Sequence, residues 1–314
     1  MLQRIGVIGG GTMGRGIAAC FALHGFSVHL VEPSAAQRAT IRSEIEASFA
    51  VLVEEEFSTG GAAAAALDRV ILFEELSPAV TDRDFIVEAV PERMELKQQL
   101  LAELDRPAPA MAIFATNTSS LPLAPMITEI PEARRARTLV THWYNPPLLM
   151  PLVEISAFGN TPIETFDEVA ELHRTIGKRI AKVKKDVPGL IANRIQQAVA
   201  REVFSLMEQG VGDAADIDAA LKFGPAFRYA TTGQLEVADF GGLDIWLTVG
   251  DNLLAAMDAS KAASPLLRRN VSEGKLGVKS GQGFYSYDPK LLPAIRRAFL
   301  SRLVTQLKAS RAYP

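Results

Sequence analysis

The sequence holds one cysteine in 314 residues, Cys20, so neither an intramolecular disulfide nor a CxxC metal site can form, and a reducing compartment is expected. Net charge is also scarce. The 33 Lys and Arg against 36 Asp and Glu leave a formal −3, which supplies no field to hold a polyanion and excludes nucleic acid as the expected partner. No apolar run approaches the roughly 18 residues that a bilayer crossing needs. The first residues, Met1-Leu2-Gln3-Arg4-Ile5, lead into a strand pattern rather than a signal peptide, so the reading is a cytoplasmic protein without a membrane partner. No metal site is expected. What the chain does have is 48% hydrophobic and 22% charged residues, enough for a large core and a soluble surface. Its length suits two domains and excludes a disulfide miniprotein or a globally disordered chain.

Arg4 to Ile8 is a short apolar run bounded by glycine, as expected of a strand covered on both faces of a parallel sheet. Helical spacing of Ile17, Ala18, Phe21 and Ala22 follows until Gly25, and Ser27 to Val31 reads as a second strand. Further strands are expected at Val70 to Phe73, Asp84 to Ala89, Ala112 to Ala115 and Thr138 to His142, with helices at Ala35 to Glu56 and Glu92 to Leu104 between them. Alternating strands and helices predict an α/β fold, a doubly wound Rossmann-type domain over 1–186. From Pro188 onward only helical periodicity is found, at Leu190 to Gln209, Ala214 to Phe223, Leu243 to Met257 and Leu291 to Lys308. An all-α domain over 187–314 is therefore expected, with Pro188 in a first helical turn and Gly210 and Gly224 in left-handed C′ positions.

Gly9, Gly11 and Gly14 form GxGxxG directly after the first strand and at the opening of a helix, with Thr12 and Met13 at that helix's start. Gly9 permits the tight turn, Gly11 lets a pyrophosphate approach the backbone, and Gly14 lets the helix pack against the sheet, leaving helix-end N–H groups for the phosphates. Glu32 ends the second strand, 18 residues beyond Gly14. A carboxylate there accepts from adenosine ribose hydroxyls and repels a 2′-phosphate, so NAD is expected over NADP.

Of the four histidines, His24, His29 and His173 read as structural. His142 ends a predicted strand, where open α/β sheets bind ligands. Twelve residues later Glu154 interrupts Pro151-Leu152-Val153-Glu154-Ile155, and a carboxylate among apolar residues needs a partner. A positioned imidazole with the ordinary pKa near 6.5 can take a hydroxyl proton around neutral pH while hydride leaves the same carbon.

Asn117-Thr118-Ser119-Ser120, His142 with Asn145-Pro146, Glu154, Pro188-Gly189 with Asn193-Arg194, and Gly281-Gln282-Gly283-Phe284-Tyr285 resemble, in order and spacing, the L-3-hydroxyacyl-CoA dehydrogenase family, whose branches include lambda-crystallin/gulonate and carnitine dehydrogenases. The resemblance implies an NAD-dependent oxidoreductase that interconverts 3-hydroxy and 3-oxo groups, with a link to fatty acid metabolism. It implies a His142–Glu154 catalytic dyad, substrate hydrogen bonds from Ser119 and Asn193, and Glu92, Lys97 and Asn117 at the NAD site. It also implies a homodimer formed through the helical domain. The partner is then a small-molecule 3-hydroxy acid or acyl-CoA.

Two stretches depart from the acyl-CoA pattern. Where acyl-CoA enzymes carry lysines, this chain reads Val53-Glu54-Glu55-Glu56, which repels the CoA 3′-phosphate unless Arg38, Arg42 or Arg69 faces the site. In Gly224-Pro225-Ala226-Phe227-Arg228-Tyr229, Arg228 resembles the arginine of relatives acting on free hydroxy acids and is placed to clamp a substrate carboxylate. Trp143 and Tyr144 replace the usual pair of phenylalanines and are expected to narrow the pocket, leaving an aromatic or sugar acid as an alternative substrate. A crystallin-like structural protein retaining the fold is the alternative of another class. Cys20 reads as core packing, with no base or cation beside it in sequence.

Overall fold

The computed structural model describes residues 2–159 and 161–313. They form two compact units, one comprising the chain up to Asn193 together with Ser301–Leu307, the other Arg194–Leu300 and the remaining C-terminal residues.

The first unit is built on eight strands: β1 Arg4–Ile8, β2 Ser27–Val31, β3 Val70–Phe73, β4 Phe85–Glu88, β5 Ile113–Thr116, β6 Thr138–Trp143, β7 Leu152–Ser156 and β8 Arg179–Val183. Their order in the sheet is β3-β2-β1-β4-β5-β6-β7-β8. Strand β1 pairs in parallel with β2 on one side and β4 on the other, so successive crossovers leave in opposite directions there and open a crevice at the carboxyl ends. All further pairs are parallel except β6 with β7. Edge strand β8 carries Arg179 and Lys182 three residues apart, hence on opposite faces, and this breaks the apolar alternation by which a strand is recognised in sequence.

Both faces of the sheet are covered, as the apolar character of its central strands requires. On one face Ile86, Phe114 and Val140 pack with Leu101, Leu104, Met126 and Leu190. On the other, Phe21 of the helix Thr12–Leu23 meets Phe26, Phe85, Trp143 and His173 through ring contacts of 5.6 to 6.2 Å. Trp143 belongs to this second layer, 2% exposed, because strand alternation turns it away from the face that carries His142. The expected narrowing of a pocket by Trp143 is therefore corrected.

The Gly60 to Ala66 stretch forms the helix Gly60–Asp68, capped by Thr59. The helical unit contains Ala214–Phe223, Pro225–Tyr229, Gln234–Gly241, Leu243–Leu253 and Pro265–Ser272, and shares the long helix Ala192–Glu208 with the first. Two local expectations need correction. Pro188 does not open that helix: Gly189 at φ 82° and Leu190 at φ 49° form a turn first, and the helix starts at Ala192. Gly210 is left-handed at φ 70°, but Gly224 has φ −94°. Glycine is needed at Gly224 because a Cβ would lie 2.5 Å from the Ala220 carbonyl oxygen.

Candidate active site

The glycine turn between β1 and the helix Thr12–Leu23 has the form a dinucleotide requires. Gly9 adopts φ 101°, and a Cβ on Gly14 would stand 1.7 Å from the Gly9 carbonyl oxygen, so only glycine permits this packing. Around Gly11, by contrast, a Cβ would meet nothing within 4 Å; the backbone faces open space, and no side chain caps the helix start beside it. The N–H groups of Thr12, Met13 and Gly14 precede the first intrahelical bonds and remain for an anion. Glu32 is 6% exposed, held by N–H donors from Gly10 at 3.0 Å and Ser34 at 2.8 Å. Its fixed carboxylate at the end of β2 matches a ribose with free hydroxyls, so the residues present fit NAD.

At the carboxyl ends of β4, β5 and β6 a web of hydrogen bonds joins the other expected residues. Asn117 donates its backbone N–H to the Glu88 carbonyl, and its Oδ1 accepts from the Trp143 N–H at 2.9 Å. Glu92 accepts from the Thr118 hydroxyl at 2.7 Å and from the N–H groups of Ser119 and Ser120, both at 2.9 Å. The Ser119 and Ser120 hydroxyls also reach it, at 3.3 and 3.0 Å. Burial disfavours the charge on Glu92, but Thr118, these N–H groups and Lys97 outweigh it and lower the carboxyl to about 2. Lys97 is buried with its ammonium 2.7 and 2.8 Å from the two oxygens of Glu88 and 3.5 Å from Glu92. Glu88 also accepts from Thr116 and from the Val90 N–H. Sequence reasoning passed over Glu88, although an acid closing the apolar run Phe85-Ile86-Val87 is the same signal that singled out Glu154.

His142 and Glu154 occupy opposed positions in the antiparallel register of β6 and β7. Their side chains therefore share a face, and the His142 Nδ1 lies 2.8 Å from Glu154 Oε2. The other oxygen, Oε1, accepts from the N–H groups of Ile191 at 2.8 Å and Ala192 at 2.9 Å. Burial alone raises the Glu154 pKa, yet His142 and the two N–H donors more than compensate and hold it below the ordinary carboxylate value. A carboxylate on Nδ1–H fixes the imidazole tautomer and leaves Nε2 as an acceptor. Among the described residues Nε2 has no partner.

Asn193 stands in the first turn of Ala192–Glu208, and its Oδ1 accepts from the Tyr144 hydroxyl at 2.8 Å. Ser119 is tied to the same segment through its carbonyl, which accepts from the Gly189 N–H at 3.2 Å. Arg228 belongs to the chain's other unit, on Pro225–Tyr229; it is exposed, and among the described residues its guanidinium has no ion-pair partner. The remaining histidines bond backbone carbonyls: His24 to Cys20, His29 to Ala79, His173 to Val169. Cys20 does sit in the core, but with company that the sequence hid. Burial raises its thiol pKa, and Lys178 and His24, brought close by the fold, reverse the sign and lower it.

A doubly wound sheet with a dinucleotide turn, fused to a helical unit, defines an NAD-dependent dehydrogenase acting on hydroxyl groups. Residues 4–187 match the description "3-hydroxyacyl-CoA dehydrogenase, NAD binding domain", and residues 189–287 match its "C-terminal domain". The chain belongs to the 3-hydroxyacyl-CoA dehydrogenase family. It is 33% identical over 308 residues to the 5-formyl-3-hydroxy-2-methylpyridine 4-carboxylate 5-dehydrogenase of Mesorhizobium japonicum, covering 97% of each chain. A solved structure of an enzyme of that name, described as an NAD+-dependent dismutase, superimposes with a TM-score of 0.91 at 30% identity over 100% of both chains. The (S)-3-hydroxybutyryl-CoA dehydrogenase of Ralstonia eutropha gives a TM-score of 0.73 at 30% identity, over 92% of this chain and 100% of the other.

Proposed function

We propose that this dehydrogenase acts on a small carboxylic acid that carries no CoA, with His142 as the base. The observation behind the chemistry is the His142–Glu154 pair, whose 2.8 Å contact occupies Nδ1 while Nε2 stays open. In the oxidative direction Nε2 takes the hydroxyl proton of the substrate, and Glu154 stabilises the resulting imidazolium. Bound NAD supplies the hydride acceptor. Ser119 and Asn193 hydrogen-bond the reacting oxygen and its neighbouring carbonyl, which is positioning rather than bond making. Asn117, Glu92 and, through Glu92, Lys97 shape the nicotinamide side, while Gly9, Gly11, Thr12, Met13, Gly14 and Glu32 hold the rest of the dinucleotide.

Support for the missing CoA comes from the end of the helix Ala35–Glu54 and the turn after it. Glu54, Glu55 and Glu56 stand there, and the three arginines able to offset them are engaged elsewhere. Arg38 bonds the Glu32 carbonyl and Glu74, Arg42 pairs with Asp68 at 2.8 Å, and Arg69 donates to the Ala22 carbonyl. Glu55 meanwhile accepts from Ser301 of the C-terminal helix. The Mesorhizobium relative, whose name specifies a CoA-free pyridine carboxylate, aligns over 97% of this chain. The second reading, a 3-hydroxyacyl-CoA ester, is favoured by the two family matches themselves. Arg228 is the residue we assign to the substrate carboxylate.

Parallel steady-state assays of 3-hydroxybutyryl-CoA, 3-hydroxybutyrate and 5-formyl-3-hydroxy-2-methylpyridine 4-carboxylate, with wild type and Arg228→Ala, separate the readings. A free acid is expected to be the better substrate, its KM rising roughly tenfold or more in Arg228→Ala, about the value of one charge-assisted hydrogen bond. Preference for the CoA ester with unchanged free-acid kinetics in the variant sinks the reading.

The same proposal includes a cytoplasmic homodimer joined through the helical domain expected over 187–314. Its helices expose Leu235 and Phe240 at 83% each and Phe227 at 70%, more apolar surface than a solvated monomer usually leaves open. No helix among the described residues is long and apolar enough to cross a membrane. Light scattering at micromolar concentration measures the oligomer directly.

A further inference from the structure

A primary amide can meet a substrate with either its oxygen or its nitrogen, and a half-turn about one bond exchanges them. At Asn193 the Tyr144 hydroxyl donates to Oδ1 at 2.8 Å. The turn after β6 places Tyr144 on the same face as His142, two residues before it, and its ring packs edge-on against the imidazole at 5.1 Å with 62° between planes. The hydroxyl has one hydrogen to give, and giving it to Oδ1 leaves the two Nδ2 hydrogens as what Asn193 can offer.

We infer that Tyr144 is a positioning residue: its hydroxyl orients the Asn193 amide so that N–H donors face the substrate, selecting an oxygen acceptor beside the reacting carbon. This rests on the reading that Asn193 touches substrate. Burial first, and then the negative charge of Glu154, push the Tyr144 phenol up to about 12, so the group remains a donor wherever an imidazole can act as a base. Phenylalanine at this position keeps the ring against His142 and loses only the orienting hydrogen.

A double-mutant cycle tests the inference with wild type, Tyr144→Phe, Asn193→Ala and the double variant. Each is assayed with the best-used of 3-hydroxybutyrate, 3-hydroxybutyryl-CoA and 5-formyl-3-hydroxy-2-methylpyridine 4-carboxylate, and NADH affinity is followed by fluorescence. Tyr144→Phe is expected to lower kcat/KM about tenfold in the wild-type background, under twofold where Asn193 is already alanine, and to leave NADH affinity unchanged. Equal losses in both backgrounds, or a Tyr144→Phe enzyme equal to wild type beside an impaired Asn193→Ala, overturn the positioning role while the site reading survives. An Asn193→Ala enzyme within twofold of wild type removes Asn193 from the site, and this role with it.

Discussion

His142 and Glu154 face each other across the one antiparallel pair in an otherwise parallel sheet. In a parallel pair the chain would have to cross over before returning, and residues twelve apart could not meet. Reversal at β7 brings the carboxylate to Nδ1 within a single hairpin, and the N–H groups of Ile191 and Ala192 anchor its other oxygen.

Replacing His142 by glutamine is expected to lower kcat at least about a hundredfold, the lower range of general base catalysis, while NADH affinity stays at the wild-type value. Stopped-flow turnover beside fluorescence titration measures both. Near-normal turnover excludes His142 as the base.

Gly11 and Gly14 are expected to respond differently to alanine. Gly14→Ala puts a methyl group 1.7 Å from the Gly9 oxygen, so the turn must open, and both the melting temperature and NADH binding fall. Gly11→Ala meets no protein atom within 4 Å, so the melting temperature holds while NADH affinity drops about tenfold or more. Calorimetry and titration of the two variants make the comparison; equal behaviour contradicts it.

The Glu92 carboxyl, lowered from 4.5 to about 2 by its hydrogen-bond donors and Lys97, contributes stability that is present above the unfolded value and lost as pH falls from about 4.5 towards 2. Glu92→Gln is expected to flatten that part of the acid denaturation profile, and to lower kcat by loosening the Ser119 loop. A profile that keeps the wild-type slope shows that Glu92 does not carry it.

His173 acts in a different window. Complete burial first, with Lys178 adding to it, lowers its pKa from 6.5 to about 4 against the opposing bond to Val169. The folded state keeps this ring neutral while the unfolded chain protonates, so stability is fully present above 6.5 and is lost as pH falls towards 4, by on the order of 3 kcal/mol. His173→Phe is expected to remove this loss, read by urea denaturation at neutral and mildly acid pH.

Much of the first unit was legible because its signals are local. The strand runs at Arg4 to Ile8 and Ser27 to Val31, and the glycine turn between them, each specify conformation within a few residues. The helix Ala214–Phe223 matches the expected bounds for the same reason. What stayed hidden depends on neighbours distant in sequence. Strand β8 has no apolar alternation of its own and is defined by pairing with β7. Lys97 is expected at the NAD site from the resemblance alone, and its burial against Glu88 emerges only in the fold; Cys20 reads as core packing until Lys178, just before β8, is brought close to it. Tyr144 stands out in sequence only as a replacement for a phenylalanine; its relation to Asn193, 49 residues on, exists only in three dimensions.

The chain has two tryptophans: Trp143, packed at 2% exposure next to His142, and Trp246 in the helical unit at 37%. They emit from a dry and a wet environment respectively, so the intrinsic fluorescence contains a built-in pair of reporters. The short-wavelength component follows melting of the sheet that carries the dyad, and the long-wavelength component follows the helices, without any label being attached.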